Sequence, residues 1–396
     1  MSTPTRAPER IARAALAAFH APAELTADLV EYGAVDLWDR LSRTDTTGRL
    51  ARYDARGSLL SALDVAAFVF PGDDDWPAAL DGIGPAAPLG LWMRGTGSLR
   101  QLSARAVAVT GNRHATRTGQ QTAAHLAGNL AEAGHTVTAS LAYGIDVAGH
   151  LAAQLTPAPT LAVLPCGLDL PHPHTHGDLA RTVSGAGGAV VSAFRPCTAA
   201  SRATLKVTAE LTAALTRAVL LVEAMTRTPA METANAAIAL HRPVFALAPP
   251  DDDSADRTHP MRGNALLLAR GQARPVTRAA EVTAALTAQP AESPVTVAQA
   301  LTVVADLMDI DANRHIPLRA MVDDLVRTAV FGSFHGSAFG HEWARLARTE
   351  GRAAAEAWSA SLRDRCAEVI ALLRPYYDAA LTSDAVRALA KRHTAA

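Results

Sequence analysis

Between about residues 66 and 285 the chain alternates short, unbroken apolar runs with longer segments whose apolar residues recur three and four apart. No other feature constrains the fold as much. The runs "RAVAVT", "HTVTA", "TLAVL", "AVVSA", "AVLLVEA" and "PVFALA" read as strands, and "QQTAAHLAGNLAEAG", "TLKVTAELTAALT" and "METANAAIAL" read as helices between them. A strand that is apolar at nearly every position cannot leave one face in water, so helices must cover both faces of the sheet. The expected class is α/β: a Rossmann-like, doubly wound and mostly parallel sheet with helical regions before and after it.

The flanks read differently. Residues 8–65 carry three short amphipathic stretches, "PERIARAALAAFH", "PAELTADLVEYG" and "AVDLWDRLSR", with Pro8 and Pro22 where a first helical turn tolerates proline. "AAFVFPGDDDWPAALDGI" then turns from a strand-like run back to helix. The stretch "LTAQPAESPVT" (286–296) reads as a linker, and the remainder is helical in pattern with no assignable role. The expected division is 1–65, 66–285 and 297–396.

Basic and acidic residues nearly cancel, 37 against 38, so any nucleic-acid site must be a local patch and not a property of the whole surface. The 49% hydrophobic content supports a large core. Only two lysines occur, Lys206 and Lys391, so almost every cation is an arginine. Three separated cysteines, Cys166, Cys197 and Cys366, suit a reducing cytoplasm better than a disulfide framework. The first residues hold no apolar run long enough for a signal peptide or membrane span. A soluble, cytoplasmic protein without membrane contact is expected.

In sheets of this kind ligands gather at the carboxyl ends of strands, which directs attention to the loops after Thr110, Ala139, Leu164, Ala193, Ala224 and Ala248. The first, "GNRHATRTG", satisfies neither the dinucleotide fingerprint nor the Walker A spacing. It still offers Gly111, free to take positive φ, with Asn112, Arg113, Thr116, Gly119 and the start of a helix, a combination able to cradle a phosphate. In the second loop, "ASLAYGIDVAGH", Gly144 permits a sharp turn and Asp146 is placed to cap the next helix, with His150 one turn further on the same face. No nucleophile with a defined companion motif lies near.

Taken in order, "VTGNRHATRTG", "ASLAYGID" with its following "GH", "TLAVLPCGLDLPHP", "GGAVVSA", "AVLLVEA", "ETANAA", "RPVFALAPP" and "RGNALLLARGQA" resemble the DNA-processing protein A (DprA/Smf) family. The resemblance covers roughly residues 10–285 and is specific as a concatenation. It implies a sterile-alpha-motif-like N-terminal helical domain and a DNA-binding, non-catalytic Rossmann-like domain without cofactor. The residues matched to that family's motifs are Gly111, Arg113, Thr116, Gly119, Ala142, Gly144, Ile145, Asp146, His150, Gly167, Asp169, Pro173, Glu223, Thr233, Ala234, Gly263 and Asn264. The chain departs from the pattern at Ala139-Ser140, His172, Ser192-Ala193 and, most of all, at Thr208-Ala209-Glu210, where the family carries Arg-Asn-Arg near its DNA-binding pocket. Arg202 and Lys206 lie just upstream as possible replacements.

The resemblance implies a single-stranded DNA-binding protein that assists loading of a RecA-type recombinase during DNA uptake or processing, and a homodimer. On this view the expected DNA and phosphate contacts are Gly111, Asn112, Arg113, Thr116, Gly119, Ser140, Gly144, Asp146, His150, Gly167, Arg202, Lys206, Glu223, Thr233 and Asn264. The alternative on the same scaffold is a nucleotide sensor or phosphoribohydrolase-like protein, with Arg113 on a ligand phosphate and Glu223 or Asp146 on a ribose or water. A third is a degenerate relative kept for protein contacts. Three other features read as ordinary structure: "PHPHTHG" (His172, His174, His176) as an exposed loop and not a metal site, Cys166 as a small buried residue, and "HGSAFGHEW" (335–343) as a helix-linking turn.

Overall fold

The apolar runs assemble side by side in a single sheet. The structure is a computed structural model that describes residues 6–288, except 78, 81–82, 84–86, 241 and 250–258, together with 386–387. Three helices come first, α1 (Ala7–Phe19), α2 (Pro22–Thr44) and α3 (Ala55–Leu63), then β1 (Ala67–Val69), β2 (Leu91–Gly95) and α4 (Leu99–Ala104). The alternation follows as β3 (Ala106–Thr110), α5 (Arg117–Glu132), β4 (Thr136–Ala139), α6 (Ile145–Ala153), β5 (Thr160–Val163), α7 (Gly177–Gly185), β6 (Ala189–Ser192) and α8 (Arg202–Leu215). It ends with β7 (Ala218–Leu221), α9 (Pro229–Ala239), β8 (Val244–Ala246), α10 (Arg262–Ala269), β9 (Arg274–Pro275) and α11 (Ala279–Ala288).

The strand order is β1-β2-β6-β5-β4-β3-β7-β8-β9. From β3 the chain winds outward through β4, β5 and β6, then returns to lay β7 on the free side of β3. That return creates a topological switch point between β3 and β7, where the two halves of the winding part and leave a crevice at the strand ends. β3 to β9 are parallel; β2 joins β6 antiparallel, and β1 joins β2 antiparallel. The sequence reading did not separate "LWMRG" as a strand, because its three buried residues, Leu91, Trp92 and Met93, are too few to show a period.

Both faces of the sheet are buried, as continuous apolar strands require. Val107 and Val109 turn to one face and meet Leu126 and Leu130 of α5, whereas Ala108, Val219 and Leu221 turn to the other and meet Ala230 and Ala234 of α9. Further along, Leu161, Val163 and Val191 pack on Leu211 and Leu215 of α8. α5 starts where Thr116 supplies an N-cap oxygen to the Gly119 amide at 2.9 Å, a bond of a kind that contributes about 1 kcal/mol.

Residues 1–288 form one compact unit and 289–396 a second. The boundary expected near residue 65 falls between α3 and β1, yet the core is continuous across it: Ala14 and Leu59 share a buried cluster with Phe68, Phe70 and Trp92. Arg10 reaches Asp73 at 3.2 Å and stands 5.1 Å over the Phe70 ring. The two helices read from residues 22–43 are a single element broken at Gly33, whose φ of 74° leaves the helical path. The region 297–396, the "HGSAFGHEW" turn and Cys366 lie outside the described residues. Among the described residues no helix is long and apolar enough to cross a membrane.

Candidate functional site

A cavity of about 260 Å³ opens at the carboxyl ends of β3, β4, β5 and β7, at the switch point. The turn Thr110–His114 and the residues Ala139, Ser140 and Asp146 form one side. A single stripe of α8, Leu205, Thr208, Ala209 and Thr212, forms the wall facing it. Met225, Thr228–Ala230 and Thr233 close it from the β7–α9 junction. Four of the loops singled out from sequence therefore converge here; those after Ala193 and Ala248 do not line it.

Gly111 is required for close approach and not for positive φ, contrary to the sequence expectation. A Cβ there would stand 2.4 Å from the Glu223 carbonyl oxygen and 2.6 Å from Ile145 Cγ1. Asn112 is buried as a staple: its amide donates to the Glu223 carbonyl at 2.6 Å, its Nδ2 donates to Pro260 O at 2.9 Å, and its Oδ1 accepts from Met225 N at 2.9 Å. The Glu223 side chain, 3% exposed, fills the hollow at the start of α5. It accepts from Thr116 N at 3.0 Å, Thr116 Oγ1 at 2.6 Å and Asn112 Nδ2 at 3.2 Å, and a Cβ on Gly119 would stand 2.4 Å from its Oε2.

Of the main-chain donors expected to form a phosphate cradle over residues 111–119, the Asn112 and Thr116 amides are already bonded to Glu223. Glu223, offered from sequence as a ribose contact or water activator, does not line the cavity. Arg113 is different. It lines the cavity half-buried, and among the described residues no hydrogen bond or ion pair engages its guanidinium. Exposed His114 stands next to it.

Asp146 is not the helix cap that its position suggested. Gly144 is the N-cap of α6, with φ 78° and ψ −123°, and a Cβ on it would lie 2.2 Å from Asn112 O. Gly144→Ala is therefore expected to lower stability by about 2 kcal/mol or more, read from the urea midpoint, because both the dihedrals and the space exclude a side chain. Asp146, one residue into the helix, turns back and accepts from Thr110 Oγ1 at 2.8 Å and Ser140 Oγ at 2.5 Å, tying the ends of β3 and β4 together. Burial pushes its carboxyl up to about 6, against the pull of these hydroxyls and of the Gly111 and Ser140 amides.

His150 is fully buried, with Nε2 3.4 Å from Ala139 O and no hydrogen bond to Asp146. Burial holds its imidazole down to about 4, so it stays neutral and packs behind the loop without forming an acid–base pair. It does not line the cavity.

The remaining expected residues separate by position. Thr233 lines the cavity. Asn264, fully buried, bonds the main chain at Leu221, Val222, Ala224 and Leu247 and so fixes the β7 and β8 ends. Gly167 serves a different loop, where a Cβ would lie 2.6 Å from Asp169 Oδ1 and 2.7 Å from Arg195 O. Arg202 is exposed at the start of α8, one turn before Leu205 of the lining stripe; Lys206 is exposed and 3.8 Å from Glu210. Neither lines the cavity.

The resemblance places Thr208 and Ala209 near the pocket but misses Leu205 and Thr212 of the same wall, although threonines at 204, 208, 212 and 216 keep a spacing that holds them on one helical stripe. The three-histidine loop holds a short 3-10 turn at His174–His176, where His176 Nδ1 donates to Leu141 O at 2.7 Å. No cluster of metal-ligating residues occurs among the described residues. Cys166 is buried, and burial pushes its thiol up to about 11, well away from nucleophilic use at neutral pH.

Comparison with known proteins places this architecture. The profile of the DNA recombination-mediator protein A family matches residues 67–287, more than half of the chain. A putative DNA processing protein DprA of Mycobacterium tuberculosis (strain CDC 1551 / Oshkosh) is 36% identical over 252 residues, covering 59% of this chain and 64% of that protein, so the match spans less than two thirds of the relative's length. Protein Smf of Escherichia coli (strain K12) is 34% identical over 154 residues, 39% of this chain and 41% of that protein. The crystal structure of DNA processing protein A from Streptococcus pneumoniae superposes with a TM-score of 0.60 at 24% identity, over 70% of this chain and 97% of that one, and shares its Rossmann-like fold. With its doubly wound sheet and its matched core, the chain belongs to the DNA recombination-mediator protein A family.

Proposed function

We propose that this chain binds single-stranded DNA across the mouth of the switch-point cavity and passes the strand to a RecA-type recombinase, acting without catalysis or cofactor. The observation that carries the reading is Arg113: a half-buried guanidinium at a strand end, beside a preformed cavity, with no partner among the described residues. A cation held in that way keeps its full hydrogen-bonding capacity for a phosphate, and a planar fork suits phosphate oxygens. The family match supports DNA as the source of that phosphate. Handover to a recombinase accords with the family's description as a recombination mediator, and assembly as a homodimer follows from the sequence resemblance alone.

Fluorescence anisotropy with a mixed-sequence single-stranded oligonucleotide across a salt series tests this. Affinity should fall as salt rises. Arg113→Ala should weaken binding about tenfold at low salt and reduce the slope of log K against log salt by about 0.7, the loss of one phosphate contact. Lys206→Ala, whose ammonium is exposed and close to Glu210, should leave the slope nearly unchanged. Identical curves for Arg113→Ala and wild type would place the strand elsewhere on the protein.

A further inference from the structure

The family resemblance singles out His150, and the strand contact proposed above makes no use of it. The ring is fully buried, with Nε2 3.4 Å from the Ala139 carbonyl. A carbonyl can only accept, so the ring proton sits on Nε2 and Nδ1 is a bare acceptor. Among the described residues Nδ1 has no partner. Two further buried atoms are unpaired in the same way, Gln154 Nε2 and Thr160 Oγ1, the latter on a residue only 3% exposed. Polar atoms in this position have given up their hydration and regained nothing for it, and native interiors seldom leave them so.

All three lie along one seam. Val137 of β4 packs in the same buried cluster as Ile145 and Ala153 of α6, and Thr160 of β5 stands opposite Val137 in the parallel ladder, so Thr160 is on the α6 side of the sheet as well. Ala162, two residues further, stands opposite Ala139, the residue that His150 touches. Gln154 follows His150 by one helical turn, about 5.4 Å along α6, and Thr160 precedes Ala162 by about 6.6 Å along β5. Because α6 runs back from the carboxyl end of β4 to the amino end of β5, the two steps go the same way and bring Gln154 and Thr160 to one level, a turn away from His150. Two hydrogen bonds of about 2.8 Å through a single oxygen span such a step. The chemistry of the three atoms is equally restrictive. Gln154 Nε2 only donates, His150 Nδ1 only accepts, and the Thr160 hydroxyl does either. A cation would meet the amide hydrogens of Gln154 and an anion the lone pair of Nδ1, whereas water donates and accepts at once and ordinarily makes about three bonds when buried.

We propose that one buried water molecule is built into the seam between α6 and the β4–β5 ladder, accepting from Gln154 Nε2, donating to His150 Nδ1 and bonding the Thr160 hydroxyl. This makes His150 a positioning residue. The water fixes the tautomer with the proton on Nε2, and Nε2 then holds the Ala139 carbonyl at the end of β4, one residue before Ser140 donates to Asp146. The inference stands apart from the strand-binding reading.

A crystal structure of the full-length protein, at a resolution that shows ordered solvent, should place a water about 2.7–3.2 Å from each of the three atoms. A dry seam, or a direct bond from Gln154 Nε2 to His150 Nδ1, would overturn the proposal. In solution, oxygen-17 magnetic relaxation dispersion counts waters held for longer than the protein takes to tumble. The double variant Gln154→Leu, Thr160→Val, which removes two of the three partners, should lose one such water relative to wild type. An unchanged count in the folded variant would overturn the proposal. The nitrogen-15 spectrum of wild type, with the His150 signals assigned by their loss in His150→Gln, should report the tautomer protonated at Nε2; protonation at Nδ1 would overturn it equally, because Nδ1 could then accept nothing from the water. The crystal and the wild-type spectrum decide the matter even if the double variant does not fold.

Discussion

Glu223→Ala should lower the unfolding free energy of the 1–288 unit by about 2–4 kcal/mol, measured from urea midpoints with the slope held in common. The reason is the number of donors that depend on one side chain. Thr116 N, Thr116 Oγ1 and Asn112 Nδ2 all point at the Glu223 carboxyl, and alanine would leave the Asn112 donor buried with one acceptor fewer and the start of α5 facing a void. Glu223→Gln keeps the volume but turns an amide nitrogen toward at least one donor, so a smaller loss of about 1–2 kcal/mol is expected. A Glu223→Ala protein as stable as wild type would mean that the carboxyl does not organise the loop, and that the 111–119 turn is free to serve a ligand after all.

The second large effect concerns pH and the pair Asp146 and His150, four residues apart on α6. Burial raises the Asp146 carboxyl from 3.8 to about 6. The folded protein thus keeps a proton that the unfolded chain releases, so this contribution to stability is full below about pH 4, falls as pH rises, and is gone above about pH 6. Its size is about 3 kcal/mol, from roughly two units at about 1.4 kcal/mol each. His150 works in the opposite sense. Burial lowers its imidazole from 6.5 to about 4, so its contribution is full above about pH 6.5 and lost as pH falls toward 4. The two slopes oppose each other over the same window. Asp146→Asn should remove the first and expose the second, giving a protein whose stability climbs by about 3 kcal/mol between pH 4 and 6.5 relative to wild type. Parallel stability profiles for wild type and Asp146→Asn across pH 4–7 would show that Asp146 ionises in the folded protein as it does in the unfolded chain.

Much of the architecture was legible in the residues. Strands β3 to β8 fall on the unbroken apolar runs, and α5, α8 and α9 on the segments with apolar residues three and four apart, because periodicity is imposed locally by burial. The loops after Thr110, Ala139, Leu164 and Ala224 could be chosen in advance because a doubly wound sheet opens its crevice at those ends. What escaped were relations between distant residues. Thr116 and Glu223 are 107 positions apart, and nothing in either neighbourhood says that one accepts from the other. Asp146 has the right identity and place for a cap, but two hydroxyls on neighbouring strand ends give its carboxyl better partners than the helix amides. The threonine stripe of α8 reads as half-polar helix surface until β7 is seen to return beside β3 and bring that helix over the crevice.

By itself, then, the sequence determined the class of sheet, its winding elements and the strand ends at which a ligand could sit, since each follows from short-range burial patterns and backbone preferences. Only the tertiary structure decided which of those polar groups remain available. Hydrogen bonds are finite and exclusive: once Glu223 has accepted from Thr116 and Asn112 and the Thr110 and Ser140 hydroxyls have donated to Asp146, the guanidinium of Arg113 is left without a partner among the described residues, and that division depends on distances no linear pattern contains.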